Sequence, residues 1–351
     1  MKIKEVLQFL ETLAPPIYQE AYDNAGLIVG NSAAEVTGVI CCLDSTEAVV
    51  DEAIEKDCNL IVAHHPIVFK GLKRFNGKNY IEKVVIKAIQ HNIAIYAIHT
   101  NLDNMLAQGV NTRIGQQLGL QNTSILAPKH NLKKLSVYAG EQAINSLRQQ
   151  LFESGAGNIN GQNQLSFVSL GASTQNGQGL AAVKLEVLFP LALSGRVHGI
   201  LTTFEQTQAI QYELTDVQNS NQQIGSGMIG ELPKAMSEKA FLKYLKKQMQ
   251  VTCVKHTALF DKPIRKVAYC GGSGGFLLRK AIGQKADIFI TADYKYHEFF
   301  DADGQIIIAD IGHYESEQFT INLLHEVLTQ KFSNFAAHCT KVNTNPVSYY
   351  V

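Results

Sequence analysis

The sequence predicts an α/β protein made of two related lobes, with an α+β domain inserted between them. Strands and helices alternate in the first and last parts of the 351-residue chain, and the middle part has a different pattern. A chain of this length exceeds one ordinary core, so two or three domains are expected. The predicted boundaries are 1–128 and 229–351 for a discontinuous two-lobed domain, and 129–228 for the insert.

The first lobe alternates short apolar runs with segments of helical periodicity. The predicted buried strands are VTGVICCLD (36–44), NLIVAHHP (59–66) and IAIYAIHT (93–100). The predicted helices between them are STEAVVDEAIEKD (45–57) and YIEKVVIKAIQHN (80–92). Such alternation is typical of βαβ units around a largely parallel sheet.

The last part of the chain repeats the pattern of the first. AIEKDCNLIVAHH (53–65) is similar to AIGQKADIFITAD (281–293), and Cys42 and Cys270 end predicted strands at the same offset of 228 residues. In both parts, a histidine and a carboxylate four residues apart follow a later strand. Three similarities in the same order indicate two related lobes.

The middle part predicts a small ferredoxin-like insert. Its segments follow the order strand, helix, strand, strand, helix, strand, and a polar stretch (154–180) interrupts them. The segment QNSNQQIGSG (218–227) has the composition of a linker or mobile loop.

The composition argues against several classes of protein. Lys and Arg total 31 and Asp and Glu total 31, so no net field attracts nucleic acid or an anionic membrane. The six cysteines form no C-x-x-C pair. The N-terminal segment has the pattern of an amphipathic helix with acidic residues, unlike a signal peptide, and no apolar run approaches the roughly 20 residues of a membrane span. The sequence therefore predicts a soluble, cytoplasmic protein.

Histidines and carboxylates follow three predicted strands. They are His64, His65, Asp103, His313 and Glu317. Ligands of open α/β sheets bind beyond the carboxyl ends of strands. The four-residue spacing at the start of a helix puts the last two side chains on one face. Three imidazoles and two carboxylates suit zinc, iron or manganese. The set predicts a site for two divalent metal ions, with positions left open for water or substrate.

Two further histidines are candidates near this site. His99 occupies the position in the first lobe that His313 occupies in the second. It either orients a ligand, binds metal as an outer ligand, or makes a structural hydrogen bond. His297 is either a general acid or base at the mouth of the site or a surface histidine.

Two loops are candidate substrate contacts. Lys70 belongs to a basic loop after His-His-Pro that could grip a phosphorylated substrate, or form a solvated run of charge. The glycine-rich loop 271–275 lies between a strand and a helix, where backbone N–H groups can bind an anion. Ser273 and Gly274 are its candidate phosphate contacts, and a tight structural turn is the alternative.

Five motifs of the two lobes belong together: YDNAGLIVG (22–30), AHHPIVFKGLK (63–73), IHTNLDNMLAQGVN (98–111), ITADYKYHEFFDA (290–302) and DIGHYESEQ (310–318). In this order they resemble the NIF-three-like family, whose bacterial members are labelled GTP cyclohydrolase 1 type 2 homologues. The resemblance implies that His64, His65, Asp103, His313 and Glu317 bind two metals. It also implies that the insert is PII/CutA-like and that the chain forms a homohexameric ring.

The sequence departs from the family pattern at two places. The family's W-D-N-x-G-L is Y-D-N-A-G-L here (22–27), and the chain contains no tryptophan. Asn24 of this motif is a further candidate substrate contact. Near the end of the insert, a His-Pro-Tyr-Glu-Glu-like segment of the family is replaced by TTFEQTQAIQYEL (202–214), which puts in doubt any ligand-binding role that the segment has in relatives.

Three functions are compatible with this set of residues. The first is a metal-dependent hydrolase of a small-molecule substrate, a nucleotide or another phosphorylated or cyclic amide compound, and the family label points to opening of the imidazole ring of GTP. The second is a metallochaperone or metal sensor without turnover. The third is a scaffold in which the metals hold the two lobes together.

Overall fold

The computed structural model describes residues 1–175, 178–208 and 210–350. The strands are β1 (Gly26–Val29), β2 (Gly38–Cys42), β3 (Leu60–Ala63), β4 (Ala94–Ala97), β5 (Gln121–Lys129), β6 (Leu132–Ala139), β7 (Ser166–Gln175), β8 (Gln178–Pro190), β9 (Gln211–Val217), β10 (Asn221–Ser237), β11 (Lys255–His256), β12 (Pro263–Ser273), β13 (Ile288–Ala292), β14 (Ile307–Asp310) and β15 (Ala336–Cys339). The helices are α1 (Ile3–Leu13), α2 (Glu47–Glu55), α3 (Tyr80–Gln90), α4 (Thr100–Asp103), α5 (Val110–Gln117), α6 (Glu141–Glu153), α7 (Ser194–Thr207), α8 (Glu238–Gln248), α9 (Leu278–Gly283), α10 (His313–Glu317) and α11 (Thr320–Lys331). The predicted mixed α/β fold is confirmed.

The chain divides into two compact units, Met1–Ala127 with Ile224–Val351, and Pro128–Gln223. The first unit contains two sheets and the second contains one. Among the described residues, no helix combines the length and apolar character needed to cross a membrane.

The first sheet has the order β1-β4-β3-β2-β15, and its β4, β3, β2 and β15 run parallel. Every residue of β2, β3 and β4 is buried. Continuous burial is what a parallel sheet requires when both of its faces are covered. The edge strand β15 was not predicted from sequence, because its four residues are only partly buried and carry no clear alternation.

The second sheet has the order β11-β14-β13-β12-β10-β5. Its β12, β13 and β14 run parallel, in the same spatial order as β2, β3 and β4 of the first sheet. The two sheets therefore place the carboxyl ends of three consecutive parallel strands in corresponding positions.

One hydrophobic core joins the two sheets of this unit. It contains Val62 and Tyr96 from the first sheet, Tyr269 and Ile290 from the second, and apolar residues of α1, α5 and α11. Burying a side chain of this size contributes about 1.5–3 kcal/mol relative to exposure. The shared core fixes the spacing of the two sets of strand ends, and the side chains that follow those ends inherit this spacing.

The unit Pro128–Gln223 has the element order β6-α6-β7-β8-α7-β9. Its four-stranded sheet has the order β7-β8-β6-β9, and all three pairings are antiparallel. The helices pack on the sheet through a separate core that includes Leu147, Phe189 and Leu201.

The prediction of a linker at 218–227 is wrong for most of that segment. Strand β10 begins at Asn221 and continues to Ser237. The amide of Gly225 donates to the carbonyl of Asn104 (2.9 Å), and the Ser226 hydroxyl donates to the Asn104 side-chain oxygen (3.1 Å). Backbone pairing and these tertiary hydrogen bonds outweigh the polar composition, as strand propensity depends strongly on context.

Glu52 of α2 fastens the segment that follows β15. Its carboxylate accepts hydrogen bonds from the Thr340 hydroxyl, the Lys341 amide (3.0 Å) and the Lys56 ammonium (2.7 Å). Burial alone would raise the pKa of Glu52, but the Lys56 and Thr340 donors outweigh burial and lower the pKa below its usual 4.5. The ionised form is therefore favoured by folding.

Glu52→Gln is expected to lower the free energy of unfolding at pH 7 by about 1–2 kcal/mol, because the amide keeps one acceptor and loses the charge. A folded-state pKa below the unfolded value contributes stability above pH 4.5, and that contribution is lost as the pH falls through the folded pKa. The free energy of unfolding, measured in urea, should therefore differ between wild type and Glu52→Gln at pH 7. This difference should be smaller below pH 4.5. Exposed Glu55→Gln in the same helix is the control. An equal difference at both pH values would contradict the role of the charge.

Candidate metal centre

Residues that follow the strand ends of both sheets line one cavity of about 1060 Å³. From the first sheet come Asp44 after β2, His65 after β3, and His99 after β4. From the second come Asp293 after β13 and His313 after β14. The site therefore lies where the carboxyl ends of parallel strands converge, the usual place for ligands in α/β folds.

Four histidine rings form a continuous group, of which His65, His99 and His313 line this cavity and His64 is buried behind them. The ring centroids are 4.8 Å apart for His64 and His65, and 5.2 Å apart for His65 and His313. The ring of His99 lies 5.3 Å from those of both His64 and His65. The structure thus brings His99 to the predicted ligands, although it was a candidate of lower rank in the sequence.

Each of these histidines donates a hydrogen bond from Nδ1 to a fixed oxygen. The acceptors are the Ile98 carbonyl for His64 (2.8 Å), Asp44 for His65 (2.8 Å), Asp23 for His99 (2.7 Å) and Asp293 for His313 (2.6 Å). A proton on Nδ1 leaves the lone pair on Nε2 free to bind a metal. The four Nε2 atoms are therefore the atoms available to a cation or a proton.

Two carboxylates lie among these nitrogens. Glu317 Oε2 is 2.9 Å from His65 Nε2, 3.2 Å from His313 Nε2 and 3.8 Å from His64 Nε2. Asp103 Oδ1 is 3.5 Å from His64 Nε2. Glu317 is nearly fully buried, with 3% of its side chain exposed, so its charge acts at short range on all three imidazoles.

The chemistry of the donor set fits divalent cations. Three groups have ligand atoms within 4.8 Å of one another: His64-His65-His99, His65-His313-Glu317 and His64-Asp103-Glu317. Within the described part of the chain, His64 Nε2 and Asp103 Oδ1 are buried without a hydrogen-bond partner. Leaving such atoms unsatisfied costs about 1–3 kcal/mol each. A cation contacting both atoms would remove this cost.

The charges of the cluster are strongly coupled. Burial would lower the pKa values of His65 and His313, but the carboxylates around them raise these values to about 10 and about 11. Burial and the charge of Glu317 raise the pKa of Asp103 to about 7. Burial would likewise raise the pKa of Glu317, yet His313 holds it well below its usual range. The raised pKa values of His65 and His313 mean that a cation has to compete with protons at these two imidazoles.

Comparison with known proteins decides the family. Residues 1–346 match the family described as Duf34/NIF3 (NGG1p interacting factor 3). This chain belongs to the Duf34/NIF3 family. The resemblance to the NIF-three-like family inferred from the five motifs is therefore confirmed.

Relatives of this Duf34/NIF3 protein cover almost its whole length. The crystal structure of a Bacillus cereus protein related to NIF3 is similar to it with a TM-score of 0.85 and 31% identity, over 100% of this chain and 99% of that chain. A protein of Staphylococcus epidermidis (strain ATCC 12228 / FDA PCI 1200) is 33% identical over 99% of this chain and 100% of its own length. One of Bacillus subtilis (strain 168) is 29% identical over 99% and 98%. Both relatives are named GTP cyclohydrolase 1 type 2 homolog.

The glycine-rich loop of this Duf34/NIF3 chain packs against the predicted ligands Glu317 and His313. Gly272 has φ +60°, and a Cβ there would lie 2.5 Å from Glu317 Oε1. The amide of Gly272 donates to the Ser316 hydroxyl, and the amide of Gly274 donates to the Thr291 hydroxyl, both at 2.9 Å. The Gly274 amide is therefore engaged within the protein. This geometry favours a tight structural turn over an anion-binding loop, although exposed Ser273 lines the cavity.

The remaining sequence candidates, Lys70, Asn24 and His297, lie outside the group of histidines and carboxylates. Lys70 is exposed and lines the cavity. The Asn24 side chain donates to the Val68 carbonyl (2.6 Å), so it holds the loop after His-His-Pro. His297 is exposed, in the 3₁₀ turn Tyr296–Ala302, and its ring contacts Tyr296 edge-on at 5.1 Å. His297 is not among the residues that line the cavity, and its acid–base role stays a prediction.

Sequence reasoning missed three carboxylates that orient the histidines: Asp23, Asp44 and Asp293. Asp44 and Asp293 follow shortly after the ends of β2 and β13, so the strand-end rule that selected the histidines also applies to them. Asp23 lies in the Y-D-N motif, in which only the neighbouring Asn24 was a candidate from sequence.

Proposed function

We propose that this protein binds two divalent metal ions and is a metal-dependent hydrolase of a small molecule, with GTP ring opening as the candidate reaction. The observation that carries the proposal is that two buried atoms, His64 Nε2 and Asp103 Oδ1, have no hydrogen-bond partner inside a cluster of imidazoles and carboxylates. The name shared by the two bacterial relatives supports the choice of reaction.

Glu317 supports the count of two ions. Two of the three ligand groups contain it, one with His65 and His313 and the other with His64 and Asp103. A carboxylate common to both groups can bridge two cations and so let five side chains serve both. The oxygen and nitrogen donors suit zinc, iron or manganese.

Divalent ions in such a site act as Lewis acids and lower the pKa of water. The protein's own groups would bind and orient the substrate beside them. His99, with Nδ1 fixed by Asp23, lines the cavity and can hold or pass a proton at Nε2. Exposed Phe69 and Phe276 give the cavity an apolar wall, and Lys70 offers a positive charge for an anionic group. A volume near 1000 Å³ suits a small-molecule ligand.

Four further predictions accompany this function. We propose that the unit Pro128–Gln223 is the ferredoxin-like, PII/CutA-like insert; its element order and strand order support that class. The division into 1–128, 129–228 and 229–351 belongs to the same proposal. A homohexameric ring is to be checked by sedimentation of the purified protein. Cytoplasmic location is to be checked by fractionation of its host.

Asp103→Asn tests the metal site and the reaction together. Wild type purified from its native host is expected to hold roughly two ions per chain, and the variant roughly one, because Asp103 belongs to one ligand group while Glu317 belongs to two. Elemental analysis measures the content. Asp51→Asn, at an exposed ion pair with Lys87, is the control and should leave it unchanged.

The activity arm uses GTP as the substrate. Turnover by wild type should be lost on chelation and reduced in Asp103→Asn, since one ion is missing. Undiminished turnover by the variant would exclude this assignment. Two ions per chain with no turnover on a broad substrate panel would favour the metallochaperone or sensor. An absence of metal from the wild type would remove the basis of both.

A further inference from the structure

The segment that follows β15 runs from the first sheet to the cluster. The amide of Thr340 donates to the carbonyl of Cys41 (2.9 Å), which continues the pairing of β15 with β2. The amide of Lys341 donates to Glu52. Farther on, Asn345, Val347 and Tyr349 line the cavity. We call residues 340–350 the C-terminal strap.

Thr344 of the strap controls the orientation of Asp44. Its hydroxyl is buried and donates to Asp44 Oδ2 at 2.7 Å, while Asp44 Oδ1 accepts from His65 Nδ1 at 2.8 Å. The Asp44 side chain is 36% exposed, so its carboxylate could otherwise turn toward solvent. With both oxygens engaged, the plane of the carboxylate is fixed, and the His65 ring is fixed with it.

Asn345, the next residue, contacts the other lobe. Its side-chain nitrogen donates to Glu315 Oε1 at 2.9 Å. Glu315 lies in α10, between the predicted ligands His313 and Glu317. The Asn345 side-chain oxygen accepts a hydrogen bond from the amide of Val347 (3.0 Å), which holds the Asn345 side chain in this orientation. Two adjacent residues thus contact the carboxylate that orients His65 in the first lobe and the helix that carries His313 and Glu317 in the second.

We propose that Thr344 and Asn345 are positioning residues that hold the metal ligands of the two lobes at their mutual spacing. The inference rests on the proposed metal binding and adds residues that touch no ion. Partners that orient metal-bound histidines typically change metal affinity by about 10–100-fold when they are removed. The strap is therefore a structural part of the metal centre, although it lies far in sequence from His64, His65 and Asp103.

Thr344→Val is the direct test, because valine keeps the shape of threonine and lacks the hydroxyl. Zn²⁺ alone is titrated into metal-stripped protein in competition with a chromophoric chelator. We expect an affinity loss of about tenfold, with recovery in Thr344→Ser, which restores the donor. Thr329→Val, at an exposed position of α11, is the matched control and should bind as wild type does. The thermal midpoint of the metal-free proteins reports folding separately.

Two results would overturn the inference: equal affinity in Thr344→Val and wild type, or an equal loss in Thr344→Ser and Thr344→Val. If Thr344→Val fails to fold, Asn345→Ala decides the question at a less buried position, with exposed Asn334→Ala as its control. A wild type that takes up no Zn²⁺ would refute the proposed metal site itself. If wild type and the variants bind Zn²⁺ equally well, the positioning role of the strap is refuted and the proposed metal site is not.

Discussion

Glu317→Gln is expected to remove both ions from the protein, taking the content from roughly two per chain to nearly none. Its Oε2 atom lies 2.9 Å from His65 Nε2 and 3.2 Å from His313 Nε2, and two of the three ligand groups depend on it. The amide has the same shape, but it carries no charge and offers a single acceptor oxygen, a much weaker metal ligand. Elemental analysis beside wild type measures the loss.

Glu326→Gln is the control for this change, because it is an exposed glutamate of α11 paired with Arg113. It should keep the wild-type metal content. Full loading of Glu317→Gln would show that the central carboxylate is not a ligand, and the two-ion proposal would fail with it. Loading reduced to the same level as in Asp103→Asn would show that Glu317 serves one ion and bridges none.

Gly272→Ala is expected to damage the same site from the backbone side. An added Cβ would lie 2.5 Å from Glu317 Oε1 and 3.2 Å from His313 Cε1, and the backbone φ of +60° disfavours any side chain. Overpacking of this kind costs about 1–3 kcal/mol. The free energy of unfolding, measured in urea, should fall by that amount. Metal affinity should fall as well, because relief of the clash must move Glu317 or His313.

Gly275→Ala in the same loop provides the comparison. A Cβ there would meet only ordinary contacts, with Tyr294 atoms 3.7 Å away. Its stability and metal affinity should stay near those of wild type. If Gly272→Ala and Gly275→Ala have similar effects, the loop responds to any added side chain in the same way. The close approach to Glu317 would then not explain why residue 272 is glycine.

The strand-end rule located the metal candidates from sequence because parallel strands place the residues after them at one edge. His64, His65 and Asp103 satisfy this rule in the first lobe. The alignment of the two lobes was also informative, since AHH and TAD share a register that pairs His65 with Asp293. A single aspartate after a strand has many uses, and only the 2.6 Å contact with His313 shows what Asp293 does.

Other features could not be predicted because they depend on contacts between distant parts of the chain. The pairing of β15 with β2, and the use of Asn221–Ser237 as a strand, are decided by partners that local composition does not reveal. The glycine-rich loop has a pattern shared by anion-binding loops and tight turns. The engaged amides of Gly272 and Gly274 distinguish them.

The return of β15 to the first sheet has a consequence for biosynthesis. Asp44 and Thr344 are separated by 300 residues, which a ribosome adds in about 15–60 s at typical rates. During that interval β2 is an open edge in the nascent chain, and Asp44 is without its threonine partner. His65 is therefore fully oriented only after β15 and Thr344 have been synthesised. Premature termination before Thr344 would yield a protein that contains the histidines but lacks the hydrogen bond from Thr344 to Asp44.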